Sequence, residues 1–241
     1  MITVQPIRYT PHQDEWHRLA QLLGFRPAFA PTPQWSEFDG RGILAIHHAS
    51  ADDQHAGRTD LHLLSDDLDE TESRLAAAGF TPTTKLLDDI GRMLVVTAAS
   101  GAAITISGGA RPAADGAVAV QPIWYQPDLA EPRRILEAIG LRPRIAADGG
   151  GWIDFTADGG GLAALHQHEE VKIDLSLEYA GDLDALAEWL GQEGFATTVI
   201  DEAYNRTLLI DTPDGDQLWV NGVMDDLYGY IRLDDPSTQI V

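Results

Sequence analysis

Val4-Gln-Pro-Ile-Arg-Tyr9 returns later in the chain as Val120-Gln-Pro-Ile-Trp-Tyr125, 116 positions further along. A second pair follows at the same offset, because Leu23-Gly-Phe-Arg-Pro27 corresponds to Ile139-Gly-Leu-Arg-Pro143. Matched segments continue in the same order as far as residue 215, and the offset drifts only between 114 and 119. An ordered series at nearly constant spacing indicates internal duplication. The sequence therefore predicts two related modules.

The boundaries of the modules follow from the limits of the matched segments. The first module spans residues 1–108 and the second spans 117–223. The segment 109–116 between them is rich in glycine, alanine and proline without periodicity, which is typical of a linker. Residues 224–241 match nothing in the first copy, so we expect a C-terminal tail that packs across the modules or frays.

Each module shows the order strand, helix and then further strands, and it shows this order twice. In the first module, apolar residues at helical spacing predict helices over 11–23 and 68–78. The equivalent helices of the second module are predicted over 131–139 and 183–190. Short β-rich segments around them predict small mixed sheets. Helices cover one face of such a sheet, and the other face is open to a ligand.

The composition excludes several classes of protein. The chain has 241 residues, of which 44% are hydrophobic, so a folded core is expected. The net charge of −22 argues against binding to nucleic acid or to a membrane surface. Cysteine is absent, which excludes disulfides and thiolate metal sites. The start of the chain lacks a signal-peptide pattern, and no apolar run approaches about 20 residues. We expect a soluble cytoplasmic protein.

Three segments carry a resemblance to a known superfamily. Residues 67–80 (DLDETESRLAAAGF) match residues 182–195 (DLDALAEWLGQEGF), and residues 212–220 (TPDGDQLWV) close the second copy with a Pro-Asp-Gly turn and a strand. The first copy closes with the degraded form AASGAAITI at 98–106. With two βαβββ units per module, the chain resembles the vicinal oxygen chelate superfamily, which includes glyoxalase I, extradiol dioxygenases and bleomycin-resistance proteins. This resemblance implies an α+β fold of two tandem modules, each with paired βαβββ units whose curved mixed sheets surround a cavity.

Many members of that superfamily hold a divalent metal with His, Gln or Glu from the first, fifth and eighth strands. Counted from the family pattern, these positions in the two modules fall on Val4 and Val120, Asp60 and Asp174, and Thr105 and Trp219. Valine and tryptophan offer no lone pair to a metal, so we expect no cofactor and no divalent metal. A shift of one residue would place Gln5 and Gln121 at the first position, and this possibility stays open.

Ten residues are expected to bind ligand in the module cavities: Arg8, Trp35, His47, Asp60, His62, Trp124, Trp152, His166, Asp174 and Trp219. His47 and His166 end matching strands, and an imidazole can exchange protons near neutral pH. Trp219 replaces a metal-binding glutamate with a flat stacking face. The alternative for the tryptophans is core packing, and for the charged residues it is surface pairing. No catalytic residue is assigned.

These features favour a small-molecule-binding protein that resembles the bleomycin-resistance branch. It would sequester or carry a mostly apolar or aromatic ligand without a metal. One alternative is a metal-dependent lyase, isomerase or dioxygenase of the glyoxalase type. A second alternative is a structural or regulatory protein with vestigial cavities. The expected partner is a small molecule rather than nucleic acid or membrane, and the expected state is a monomer of two modules or a homodimer.

Overall fold

The computed structural model describes residues 1–88, 90–202, 205–224 and 227–234. The fold is α+β, as the sequence predicts, with one pair of helices in each half of the chain. In chain order these are α1 (Gln13–Leu22), α2 (Leu68–Ala77), α3 (Ala130–Ile139) and α4 (Leu183–Gln192). Each lies within two residues of its predicted bounds. None of the described helices has the length and apolar character needed to cross a bilayer.

The strands of the first half are β1 (Ile2–Val4), β2 (Ile7–Thr10), β3 (Arg26–Pro27), β4 (Trp35–Gly40), β5 (Gly42–His48), β6 (Thr59–Asp60), β7 (His62–Ser65), β8 (Thr83–Leu87), β9 (Gly91–Thr97) and β10 (Ala103–Gly108). They form two mixed sheets, with the orders β3-β4-β5-β2-β6 and β1-β7-β10-β9-β8. Each sheet contains one parallel pair, β2 with β5 and β7 with β10. Each sheet therefore corresponds to one of the two βαβββ units.

The strands of the second half are β11 (Val118–Val120), β12 (Ile123–Gln126), β13 (Arg142–Ala147), β14 (Trp152–Thr156), β15 (Leu162–Gln167), β16 (Lys172–Asp174), β17 (Ser176–Tyr179), β18 (Thr197–Asp201), β19 (Arg206–Asp211), β20 (Gln217–Gly222) and β21 (Tyr230–Arg232). Their sheets have the orders β16-β12-β15-β14-β13-β21 and β11-β17-β20-β19-β18. The first ten strands repeat the arrangement of the first half. Strand β21, from the segment expected to be a tail, extends the first of these sheets beyond β13.

A proline divides the first strand of each module between two sheets. In the first module, β1 pairs with β7 and β2 pairs with β5, and Pro6 lies between β1 and β2. Pro122 divides β11 from β12 in the same way. Proline has no N–H to give to a ladder, so pairing changes partner at this position. The two sheets of a module are thus joined at one corner and face each other across a cavity.

The helices cover the outer faces of the sheets. α2 and α4 both begin after an aspartate, Asp67 or Asp182, whose carboxylate accepts hydrogen bonds from the first turn of the helix. Leu75 and Leu190 are fully buried on the inner sides of these helices. Because the helices occupy the outer faces, the inner faces of the sheets are left for polar residues and for a site.

Two glycines meet where the modules join. A Cβ atom on Gly42 would lie 2.9 Å from the Cα of Gly161 and 2.4 Å from a methyl group of Val120. Both glycines have positive φ, +90° and +88°. They stand at equivalent positions at the start of β5 and just before β15. This close approach of the two backbones requires glycine at both positions.

A buried ion pair also links the modules. Asp214, in the Pro-Asp-Gly turn between β19 and β20, accepts hydrogen bonds from Arg8 Nη2 at 2.6 Å and Nε at 2.9 Å. It also accepts from Thr10 Oγ1 at 2.6 Å and Trp16 Nε1 at 2.8 Å. The Arg8 and Asp214 side chains are only 4% and 5% exposed. The turn of the second module is therefore anchored in the first.

Replacing Asp214 with Asn should lower the free energy of unfolding by about 3–5 kcal/mol, because it leaves the Arg8 charge buried without its main partner. Urea unfolding of the full chain measures this loss. Asp184→Asn is the matched control, since Asp184 pairs with Arg206 at an exposed site and should cost about 1 kcal/mol or less. Equal losses in the two variants would contradict the anchoring role of Asp214.

Candidate functional site

A cavity of about 360 Å³ lies between the two sheets of the second module. Its size is within the range of small-molecule sites. Strands of both sheets contribute to its wall, and Met224 and Tyr230 from the C-terminal segment line it as well. The polar side chains on the wall are Gln121, Arg144, Asp154, His166, Glu178, Glu202 and Asn221. The chain thus brings several charged and amide groups into an enclosed space.

Gln121, Glu178 and Asn221 share the inner face of one sheet. Glu178 is paired directly with Asn221 across β17 and β20. The N–H of Gln121 donates to the carbonyl of Ser176, on the neighbouring strand. All three side chains are buried, and the residue that precedes each one is buried in the hydrophobic core on the other face. Strand alternation therefore separates a polar inner face from an apolar outer face.

Arg144, on β13, lies between two buried carboxylates. Its Nη2 donates to Asp154 Oδ2 at 2.5 Å and to Glu178 Oε2 at 2.6 Å. Its Nε lies 3.0 Å from the same Asp154 oxygen, and its Nη1 lies 3.1 Å from Glu178 Oε1. Burial by itself lowers the pKa of Arg144, but the hydrogen bonds to Asp154 and Glu178 outweigh it and the pKa is raised. The guanidinium remains charged and links the two sheets.

The two amides extend this network. Gln121 Nε2 donates to Asp154 Oδ2 at 3.2 Å, and Asn221 Nδ2 donates to Gln121 Oε1 at 3.3 Å. Thr207 Oγ1 in turn donates to Asn221 Oδ1 at 3.1 Å. The network orients the oxygen atoms of both amides and of both carboxylates within one cavity.

An aromatic wall with a histidine forms another side of the cavity. The ring of His166 lies 5.3 Å from that of Tyr125 and 5.8 Å from that of Trp152. His166 Nδ1 is 2.9 Å from the carbonyl oxygen of Gln167. A carbonyl only accepts, so Nδ1 carries the proton and Nε2 keeps its lone pair. The indole N–H of Trp152 is buried and finds no acceptor within the described parts of the chain.

The first module has the same aromatic wall but a different interior. His47 lies 5.1 Å from Tyr9 and 5.9 Å from Trp35, in the arrangement of its counterpart His166. Deeper inside, His62 is buried and contacts Thr105 Oγ1 at 2.7 Å and Ser107 Oγ at 2.9 Å. Burial lowers the pKa of His62 to about 4, so the imidazole is neutral near pH 7.

The lowered pKa of His62 predicts how the free energy of unfolding depends on pH. In the unfolded chain the pKa of a histidine is about 6.5, so between about pH 6.5 and 4 the unfolded chain binds a proton that folded His62 does not. Stability should fall as the pH drops through this window, by up to about 3 kcal/mol. Urea unfolding at several pH values measures the slope, which His62→Gln should reduce. His48→Gln, at an exposed position, should leave it unchanged, and an equal slope in both variants would contradict the assignment.

A larger groove of about 910 Å³ lies between the modules. Asp60 and Asp174 face it from equivalent strands, β6 and β16. Asp60 accepts from Tyr9 Oη at 3.1 Å, and Asp174 pairs with Lys172 Nζ at 2.8 Å. Trp219, which is 39% exposed, lines both this groove and the second-module cavity.

The ten sequence-predicted residues therefore separate into four places. Trp152, His166 and Trp219 line the second-module cavity; Arg8, Asp60, Asp174 and Trp219 line the groove; Trp35, His47 and His62 lie in the first module; and Trp124 is fully buried in the core. Arg8 and Trp124 were expected at a cavity wall. Arg8 instead neutralises Asp214, and Trp124 instead packs in the core. Ligand binding by the others stays a prediction.

On the first strand of the second module, the position predicted for a metal ligand is one residue away from the residue that lines the cavity. Val4 and Val120 point into the core, whereas Gln121, the next residue, lines the cavity. On the eighth strand, both Trp219 and Asn221, two residues further on, line the same cavity. The sequence argument singled out neither Arg144, Asp154, Glu178 nor Asn221. The alternation of polar Ser176 and Glu178 with buried Leu177 along β17 was the signal available for one of them.

Comparison with known proteins identifies solved structures that share this fold. No family model matches the chain, and no curated sequence does. Solved structures match over nearly the whole chain. The Mn(II)-bound glyoxalase from Novosphingobium aromaticivorans is 13% identical with a TM-score of 0.64, and the match covers 92% of this chain and 81% of that one. The chain has the vicinal oxygen chelate fold.

Two dioxygenases share the vicinal oxygen chelate fold with this chain, with similar sequence identities and TM-scores. The 2,3-dioxygenase LapB from a Pseudomonas species is 14% identical, with a TM-score of 0.63 and coverage of 91% of this chain and 90% of that one. Homoprotocatechuate 2,3-dioxygenase from Brevibacterium fuscum, complexed with 3,4-dihydroxyphenylacetate, is 13% identical, with a TM-score of 0.61 and coverage of 97% and 81%.

These matches correct the expectation that the chain uses no divalent metal. A structure that shares the vicinal oxygen chelate fold over 92% of the chain is bound to Mn(II). The expectation rested on valine and tryptophan at the ligand positions. Gln121 rather than Val120 lines the cavity, and Asn221 lines it beside Trp219. The cavity instead presents oxygen atoms from Gln121, Asp154, Glu178 and Asn221.

Proposed function

We propose that the protein is a metal-dependent enzyme of the glyoxalase and extradiol dioxygenase type, with its active site in the second-module cavity. The observation that carries this proposal is the convergence of two buried carboxylates and two buried amides on one cavity that also holds a histidine and two indoles. The substrate would be a small, planar molecule with oxygen substituents, in keeping with a volume of about 360 Å³.

The chemistry of the oxygen donors fits a hard divalent cation. Carboxylate and amide oxygens suit Mn(II). Among the described residues, no three His, Asp or Glu side chains form a metal-binding group by themselves. The amide oxygens of Gln121 and Asn221 would therefore complete a set begun by Glu178 and Asp154. When bound, such a cation polarises substrate oxygen atoms as a Lewis acid.

The aromatic wall supports the placement of a planar substrate. Trp152 and Trp219 offer flat faces at the cavity. The indole N–H of Trp152, which has no acceptor among the described residues, would donate a hydrogen bond to a substrate oxygen. A buried donor without an acceptor costs stability, so a ligand that satisfies it gains affinity.

His166 would accept a proton from the substrate. Its Nδ1 proton is held by the carbonyl of Gln167, which leaves Nε2 as the basic atom. A positioned general base of this kind typically contributes 10²–10⁴-fold to a rate. Proton removal is the step that this proposal assigns to the chain's own residues.

The proposed metal site predicts one Mn(II) bound per chain. Glu178→Gln should weaken Mn(II) binding at least tenfold, because it removes a charged oxygen donor from the cavity. Electron paramagnetic resonance of free Mn(II) measures the affinity. Glu37→Gln, at the position in the first module that corresponds to Asp154, should bind Mn(II) as the wild type does. Absence of stoichiometric Mn(II) from the wild type would overturn the proposal and favour a protein that only binds its ligand.

The proposed base predicts an asymmetry between the modules. His166→Gln should lower turnover of 3,4-dihydroxyphenylacetate or catechol, assayed with Mn(II), by about 10²-fold or more. His47→Gln alters the equivalent histidine of the first module and should leave turnover unchanged. If both variants lose activity equally, or if neither does, His166 is not the base.

A further inference from the structure

We infer that Arg144 is a built-in cation that competes with the metal for Asp154 and Glu178, and so sets the affinity of the second-module cavity for divalent ions. The inference rests on the proposed metal site. It assigns to Arg144, a residue that lines the same cavity, the role of lowering the affinity of that site for a divalent ion.

The contacts of Arg144 place a positive charge where a metal would share its oxygens. One nitrogen, Nη2, contacts both Asp154 Oδ2 and Glu178 Oε2, at 2.5 and 2.6 Å. The side chains of Asp154 and Glu178 are 2% and 4% exposed, so water does little to screen them. A cation that uses these oxygens has to displace the guanidinium or share its partners, and either costs interaction energy.

In the first module, two of the three positions equivalent to Arg144, Asp154 and Glu178 hold uncharged residues. Ala28 stands where Arg144 lies, and Leu64 stands where Glu178 lies. The acidic residue on β4, Glu37, pairs instead with Arg111 at 2.7 Å. Arginine and glutamate thus occur together on the inner face of the second module, as expected if they act as a pair at its site.

A second arginine lies close by but holds Glu178 less tightly. Arg41, from the first module, is 3.8 Å from Glu178 Oε1 and its side chain is 40% exposed. The two carboxylates and Arg144 together carry one net negative charge, which half-exposed Arg41 offsets in part. Removal of Arg144 would leave both carboxylate charges, with Arg41 as the remaining nearby cation, and so favour a divalent ion.

The test is Mn(II) affinity, measured by electron paramagnetic resonance, in three forms of the full chain. Arg144→Gln should bind Mn(II) at least tenfold more tightly than the wild type. Arg142→Gln is the matched control, because it removes the same charge from an exposed position on the same strand. Its affinity should equal that of the wild type.

The three affinities distinguish competition by Arg144 from an effect of overall charge and from the absence of a metal site. If the wild type and Arg144→Gln bind Mn(II) equally, or if Arg144→Gln binds it more weakly, the competition is overturned and the metal site stands. If Arg142→Gln gains as much as Arg144→Gln, the effect is one of overall charge and the inference fails. If no form binds Mn(II), both the inference and the proposed function fail.

Loss of Arg144 leaves two buried carboxylates without their main partner, so Arg144→Gln is expected to be less stable. Thermal unfolding with and without Mn(II) uses this instability. Mn(II) should raise the melting temperature of Arg144→Gln more than that of the wild type, by mass action. If Arg144→Gln does not fold, Arg144→Met replaces it. A methionine of similar length removes the positive charge, so Mn(II) binding by this variant no tighter than in the wild type would overturn the inference.

Discussion

The proline in the first strand of each module is the constraint on which the site depends. Pro6 and Pro122 end one ladder and let the strand continue into another sheet. The sheets are thereby joined at a corner and face each other across a cavity. The residue before each proline, Gln5 or Gln121, is buried at that corner. In the second module this position brings an amide into contact with Asp154, a residue of the opposite sheet.

The two duplicated modules share one fold but differ in the residues that line their interiors. Both modules keep a tyrosine, a tryptophan and a histidine in the same arrangement. The interior of the first module holds neutral His62 and its hydroxyl partners. The interior of the second is polar and charged. The module interface is asymmetric as well, because Arg8 anchors Asp214 on one side and Trp124, its counterpart, packs in the core. The two cavities are therefore expected to differ in function.

The sequence predicted the architecture well, because the repeat and the helical periodicity are local signals. The four helices and the vicinal oxygen chelate fold follow from them. The ligand positions were harder to predict, since a displacement of one residue moves a side chain to the other face of a strand. The predicted ligand position on the first strand fell on Val120, which is buried in the core, whereas the next residue, Gln121, lines the cavity. Arg144 meets Glu178 across 34 positions of sequence, and Arg8 meets Asp214 across 206. Such contacts are set by how sheets and modules pack, which spacing along one chain does not reveal.

The central claim is that the second-module cavity, with its oxygen donors and its competing arginine, is the place where a divalent ion acts. A crystal of the protein soaked in Mn(II) tests this most directly, through the anomalous scattering of manganese. The account predicts a single strong peak among the side-chain oxygens of Asp154, Glu178, Gln121 and Asn221, with Arg144 moved from its present position. A peak confined to the first module or to the groove between modules, or no peak in the second-module cavity, would contradict it.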